Sequence, residues 1–267
     1  MGIMKSKKIY LFIGLLIVMV LAGACSQATQ VVPAVDTSAR ATSLAGTAVA
    51  AFGTATFTPS PTKTSVPKAV VSSQGTSLMP QEDGSTLFTD HKAGIQVTVP
   101  FGWLAIRGGE PEYYMAAEKV GTQNDWFLEE IASLQTLNLD VFRLHAYDLH
   151  PEHALNNTLP KINVVFLQED ERTLRQIEAD ERTLIKRSVQ NGHKYLSSDF
   201  QELSGLEVLI FQSQWDAISF PTTHYKGTFF KVPAGTVFID FMIASEQQEA
   251  LEPEWKQIVE SFTLLTP

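Results

Sequence analysis

The chain has 267 residues, 20 of them basic and 29 acidic, for a net charge of −9, and it contains a single cysteine. An acidic balance with no basic cluster excludes the electrostatic footprint that nucleic-acid binding requires, and it opposes adhesion to anionic lipid. One cysteine excludes an internal disulfide.

Residues 1–24 carry Lys5, Lys7 and Lys8 with no acid, then sixteen residues from Ile9 to Ala24 without a charge or a proline. A basic start, a short apolar run and small residues at its end make a secretory signal. The run is shorter than the roughly 20 residues that span a bilayer as a helix. It closes on VLAGACS, which resembles a bacterial lipobox: Gly23 and Ala24 precede Cys25, and only Ala22 departs from the larger aliphatic residue usual three places before the cysteine. The resemblance implies that Cys25 is lipidated, becomes the first residue after cleavage and holds the protein on a membrane with its domain outside the cytoplasm. Two acyl chains make such anchoring stable. The alternatives are an uncleaved anchor and a plainly secreted chain. With Cys25 committed to lipid, the folded part has neither a thiolate ligand nor a cysteine nucleophile.

Residues 25–84 read as the lipid anchor and an Ala, Thr, Ser and Pro-rich tether whose only aromatics are Phe52 and Phe57. Such a segment buries too little apolar surface to offset the entropy of ordering, and a flexible chain of this length spans on the order of 45 Å. Without the three signal lysines, 17 basic residues face 29 acidic ones, a net −12; the tether is neutral, so this charge falls on residues 85–267.

That stretch is long enough for one domain with a substantial core. Leu87–Thr89 and Ile95–Val99 read as strands about the HKAG turn, with Ile95, Val97 and Val99 on one face. Pro100 and Gly102 interrupt them and WLAI resumes. NDWFLEEIASLQTL places Phe127, Ile131 and Leu134 on one helix face behind an Asn124 cap. VFRLHAYDL and INVVF follow as strands. DERTL occurs at 170–174 and again at 180–184, but ten residues leave the copies about 80° apart round a helix, so they share no face. The segment 169–190 instead reads as a helix buried through Leu174, Ile177, Leu184, Ile185 and Val189 and stopped by Gly192. Strands are expected over roughly 194–203, 206–215 and 224–232, a hairpin turns at Pro233–Gly235, and a last helix starting near Pro253 buries Trp255, Ile258, Val259 and Phe262.

GIQVTVPFGW, VFRLHAYDL, KINVVF to ERTLIKRSV, the hairpin and IVESFTL stand in an order that resembles the Mog1/PsbP/DcrB-like superfamily over about 180 residues. The resemblance implies an α+β fold, a twisted and mainly antiparallel sheet with helices on both faces. It implies no catalytic site, since members range from accessory assembly factors to lipoproteins that bind ligands or partners.

Two groups of residues carry chemistry. HAYDLHPEH holds His145, Asp148, His150, Glu152 and His153, which are ligand types for zinc, with Pro151 turning the chain; the spacing matches no established metal motif, and a solvated strand end is the competing reading. Tyr113 and Tyr114 after Pro111, in a loop or short helix, and Trp215 and Phe220 about DAISFPTTHY are candidate walls of a partner or ligand groove, against a role in sealing the sheet. Trp103 and Trp255 belong to the core. GxSxG and the phosphate-loop pattern are absent, the Gly108–Gly109 pair is a turn, and no cofactor is expected. The leading expectation is a membrane-anchored, non-catalytic binding or assembly-accessory module whose partner is an envelope protein or small ligand. A metal or ligand carrier using residues 145–153 comes second and an enzyme third.

Overall fold

The computed structural model describes residues 70–72, 74–121, 125–155, 158–216 and 221–265. The signal region, Cys25 and the tether up to residue 69 lie outside the described residues, as do Asn124 and Phe220. Twelve strands are described, in two antiparallel sheets. The smaller sheet takes β1 (Val70–Val71), β2 (Thr76–Pro80), β3 (Thr86–Asp90), β4 (Ile95–Val99) and β12 (Thr263–Leu264), in that order. The larger contains β5 (Trp103–Ile106), β6 (Phe142–Asp148), β7 (Lys161–Gln168), β8 (His193–Leu203), β9 (Leu206–Trp215), β10 (Thr223–Val232) and β11 (Gly235–Ala244), ordered β5-β6-β7-β11-β10-β9-β8. Helices α1 (Pro111–Gly121), α2 (Asp125–Ser133), α3 (Leu174–Ser188) and α4 (Gln248–Glu260) complete the described fold.

The expected α+β class holds, with the antiparallel strands divided between two sheets. The division falls at Pro100–Gly102, where Gly102 takes a φ of 83° that a side chain resists, and the chain leaves β4 for β5 in the other sheet. Period-two alternation then sorts the core. Ile95, Val97 and Val99 of the small sheet meet Leu144, Ala146, Ile162, Val164, Phe230, Ile239 and Phe241 of the large one, and α4 adds Leu251, Trp255, Ile258 and Val259. On the opposite face of the large sheet, α1 and α2 bury Tyr113, Phe127, Ile131 and the adjacent Leu134 against Ile106 and Tyr147. α3 buries Leu174, Ile177 and Ile185 against Leu209, Phe211 and Phe229. Helices therefore cover both faces, and Trp103 and Trp255 are both buried.

Four expectations change. Ordered structure begins before residue 85: β2 pairs with β3, and Thr76 and Ser77 are buried. Thr, Ser and Pro made TSLMP read as linker, yet tertiary contacts satisfy its polar groups. The Ser72 and Thr76 hydroxyls lie 2.8 Å apart, and Arg107 Nη1 donates to the Thr76 carbonyl at 2.7 Å. α3 starts at Leu174 rather than near 169, because Thr173 and Gln176 form a capping box. Within it Leu184 is only half-buried and Val189, just past its end, is exposed, so the apolar stripe is narrower than its sequence suggests. Pro253 is the sixth residue of α4, not near its start. It is exposed, so the Glu249 carbonyl that loses its helical donor is on the water side.

Candidate functional site

Asp148 is the last residue of β6, opposite Trp103 of β5, and it is completely buried. A buried carboxylate requires donors to compensate its lost hydration. They come from the short 3-10 turn Pro151–His153 that follows. Asp148 Oδ1 accepts the His150 backbone N–H at 2.9 Å and His150 Nδ1 at 2.6 Å, while Oδ2 accepts His153 Nδ1 at 2.5 Å. The two imidazole centroids are 5.4 Å apart at 66°. Donation to Asp148 favours the imidazolium and raises the pKa of His150 above its ordinary value.

Two neighbours fix this arrangement. The His150 ring lies against Gly102, where an added Cβ would fall 2.3 Å from Nε2 and 2.1 Å from Cε1. Gly102 thus permits the turn into β5 and also makes room for the imidazole. From the other side, Gln247 Nε2 donates to the His153 carbonyl at 2.7 Å, and Trp103 Nε1 donates to Glu254 of α4 at 2.7 Å.

His145, expected to join this group, does not. It is three residues before Asp148 on one strand and therefore points to the opposite face. There it is buried, stacked on Phe142 at 5.8 Å, and donates from Nδ1 to Asn163 Oδ1 at 2.7 Å. Burial pushes its pKa down to about 4, and Nε2 has no partner among the described residues.

That face holds residues which sequence reasoning missed. Strand register sets His145, Asn163, Asp240 and Gly227 in one cross-strand row, and Tyr147, Lys161, Met242 and Tyr225 in the next. α1 and α2 pack over the β5–β6 end and α3 over the β8–β9 end, so the middle of the face is a polar strip between two helical covers. Lys161, Asn163, Asp240, Met242 and Tyr225 are half-buried there. Asn163 Nδ2 is 3.5 Å from Asp240 Oδ2, and Lys161 Nζ donates to Glu130 of α2 at 2.9 Å. Burial pushes the Asp240 carboxyl up to about 6 and that of Glu181, on α3, up to about 7. The ion pair with Lys161 keeps Glu130 below its usual value. The signal in the sequence was alternation: Lys161, Asn163 and Asp240 fall on one face of two strands whose other residues are mostly apolar.

Of the candidate groove residues, Phe220 lies outside the described residues, and Tyr113, Tyr114 and Trp215 do not come together. Tyr113 is 3% exposed and sits in the core beneath α1, whereas Tyr114, next on the helix, is 58% exposed. Consecutive helical residues point about 100° apart, so one of the two faces inward. Trp215 donates Nε1 to the Asn191 carbonyl at 2.8 Å and stacks on His193, closing the junction between α3 and β8. β5 and β9 are five strand positions apart, about 24 Å at the usual spacing, so Tyr114 and Trp215 line no common wall. A shallow concavity of about 490 Å³ at the β10–β11 hairpin includes Lys92 and Lys231, but Lys92 pairs with Asp140, and Lys231 donates to the Asp170 carbonyl and Thr236.

No family model matches the chain, and no curated protein matches it. Solved structures are similar to it. The solution structure of cyanobacterial PsbP from Synechocystis sp. PCC 6803 aligns over 69% of this chain and 94% of that one, at 10% identity and a TM-score of 0.44. LpqN, involved in cell envelope biogenesis of Mycobacterium tuberculosis, aligns over 46% and 72%, at 12% identity and a TM-score of 0.36. The immunity protein TplEi of Pseudomonas aeruginosa aligns over 67% and 74%, at 9% identity and a TM-score of 0.32.

Proposed function

We propose that this chain is a lipoprotein held by Cys25 on the outer side of a membrane, and that its folded unit is a non-catalytic binding module using the polar strip on the large sheet. The observation that supports the reading is the strip itself: Asn163, Asp240, Met242 and Tyr225 lie half-buried between two helical covers, above a buried His145 whose Nε2 has no partner among the described residues. A buried acceptor without a partner is open to a donor from water or from a bound group. The strip offers acceptors at Asp240 and His145, a donor at Asn163 and an aromatic flank at Tyr225, a set that suits a hydroxylated or cationic group on a partner or small ligand. Binding is favoured over catalysis because the sequence carries neither a GxSxG elbow nor a phosphate loop and Asn163 already holds His145 in place.

Two experiments test the two halves of the reading. Metabolic labelling with a fatty acid should mark the wild type and not Cys25→Ala; a cleaved Cys25→Ala product that stays on the membrane refutes the anchor. Cross-linking and capture from intact membranes should recover a partner with the wild type and lose it with Asp240→Asn, which keeps the side chain's shape, at a melting temperature no lower than the wild type's. Equal capture by both proteins refutes the strip.

A further inference from the structure

Asp148, His150 and His153 are absorbed neither by that reading nor by the polar strip, since they lie at the other face and edge of the large sheet. One carboxylate and two imidazoles, all from six consecutive residues, bring ligand atoms within 4.8 Å of one another. These are the ligand types that zinc and its neighbours take from proteins. The atoms that converge are the Nδ1 edges, because Gly102 packs against the Nε2 and Cε1 edge of His150. A metal ion takes the place of the protons on the two Nδ1 atoms: a neutral imidazole keeps its proton by moving it to Nε2, and an imidazolium gives one up to solvent. Ligand atoms in a tetrahedral zinc site are about 3.3 Å apart. His150 Nδ1 lies 2.6 Å from Oδ1 and His153 Nδ1 lies 2.5 Å from Oδ2, and one ligand atom from each residue lies within 4.8 Å of the others, so the site forms by shifts on the order of 1–1.5 Å. His150 and His153 have side chains 29% and 23% exposed on a short turn, which allows that movement and gives solvent a route to a fourth coordination position. Glu152 and Glu254 add negative charge within electrostatic reach of His150, which favours a cation there.

We propose that Asp148, His150 and His153 form a binding site for one divalent transition-metal ion of the zinc class, with two Nδ1 ligands, one carboxylate ligand and an open fourth position. Gly102 clears the space for the His150 ring, and Gln247 and Glu254 connect the site to α4.

The test is isothermal titration of zinc chloride into the full chain, prepared without a histidine tag, with the visible spectrum of a cobalt(II) titration read in parallel. The wild type should bind one ion per chain and give the intense bands of tetrahedral cobalt. His150→Ala/His153→Ala should bind at least tenfold more weakly and lose those bands. His91→Ala, at an exposed position just after β3, should bind as the wild type does. His150→Gln/His153→Gln keeps donors to Asp148, and it decides the same question if the alanine variant fails to fold. No saturable binding by the wild type, or unchanged affinity in the double variants, overturns the site.

Discussion

Arg143 and Asp90 form the most deeply buried ion pair among the described residues, and replacing Arg143 with Met should expose what it does. Neither side chain has any solvent exposure. Arg143 Nε donates to Asp90 Oδ2 at 2.6 Å and Nη2 to Oδ1 at 3.3 Å, while Nη2 and Nη1 also reach the carbonyls of Gln74 at 2.9 Å and Leu139 at 3.0 Å. Asp90 in turn accepts the backbone N–H groups of Lys92 at 2.9 Å and Ala93 at 3.0 Å, which sets the turn between β3 and β4. The guanidinium therefore fastens β6 of the large sheet to β3 of the small one. Arg143→Met leaves a buried carboxylate with only its two backbone donors and takes the guanidinium from two carbonyls. Breaking a buried pair in this way costs about 3–5 kcal/mol. Asp90→Asn should cost a similar amount by stranding the cation, while keeping an oxygen for the turn. In the double variant neither charge remains, so its loss should fall short of the summed single losses by about 1.5–3 kcal/mol. Urea unfolding followed by tryptophan fluorescence, extrapolated to water, measures all three. A loss below about 1 kcal/mol for Arg143→Met, or additivity within about 0.5 kcal/mol, would refute the reasoning.

Three further outcomes are expected. Thr228 is completely buried and its hydroxyl finds no partner among the described residues, so Thr228→Val should raise stability by about 0.5–2 kcal/mol in the same urea assay. Gly102→Ala should cost about 1–3 kcal/mol through its positive φ and its contact with the His150 ring; adding His150→Ala should recover part of the loss, and no recovery would mean the ring is not what resists the methyl. The Asp240 carboxyl is raised to about 6 in the fold, so its protonated form is favoured there. The stabilisation this gives is full below the ordinary carboxylate value of 3.8 and is lost as pH rises through about 6. Asp240→Asn should accordingly be more stable than the wild type at pH 8 by about 1–3 kcal/mol, with the gain shrinking toward zero at pH 4.

Local signals placed most of the elements. Alternation marked β4, strands were also expected where β7, β9 and β10 form, and the turn signal at Pro233–Gly235 marked the β10–β11 hairpin. Gly192, at a φ of 85°, stops the helical segment as its position suggested. β2 was hidden because Thr, Ser and Pro look like a linker until Arg107, thirty-one residues away, takes the Thr76 carbonyl. The candidate site divides in the same way. That Asp148, His150 and His153 are ligand types close together was plain, and opposite strand parity was enough to send His145 to the other face once β6 extended to Asp148. That His150 rests on Gly102, and that Gln247 holds the turn from ninety-four residues away, was not.

The sequence by itself determined what depends on near neighbours: strand phase, helix caps, the charge balance, and the resemblance of VLAGACS to a lipidation signal. Only the tertiary structure decided which of Tyr113 and Tyr114 turns inward and where the second sheet begins. It also brought Lys161, Asn163 and Asp240 into one strip. Each of those outcomes turns on which distant surface arrives to cover a residue, and side-chain burial, hydrogen-bond partners and shifted pKa values are properties of that meeting, not of the local chain.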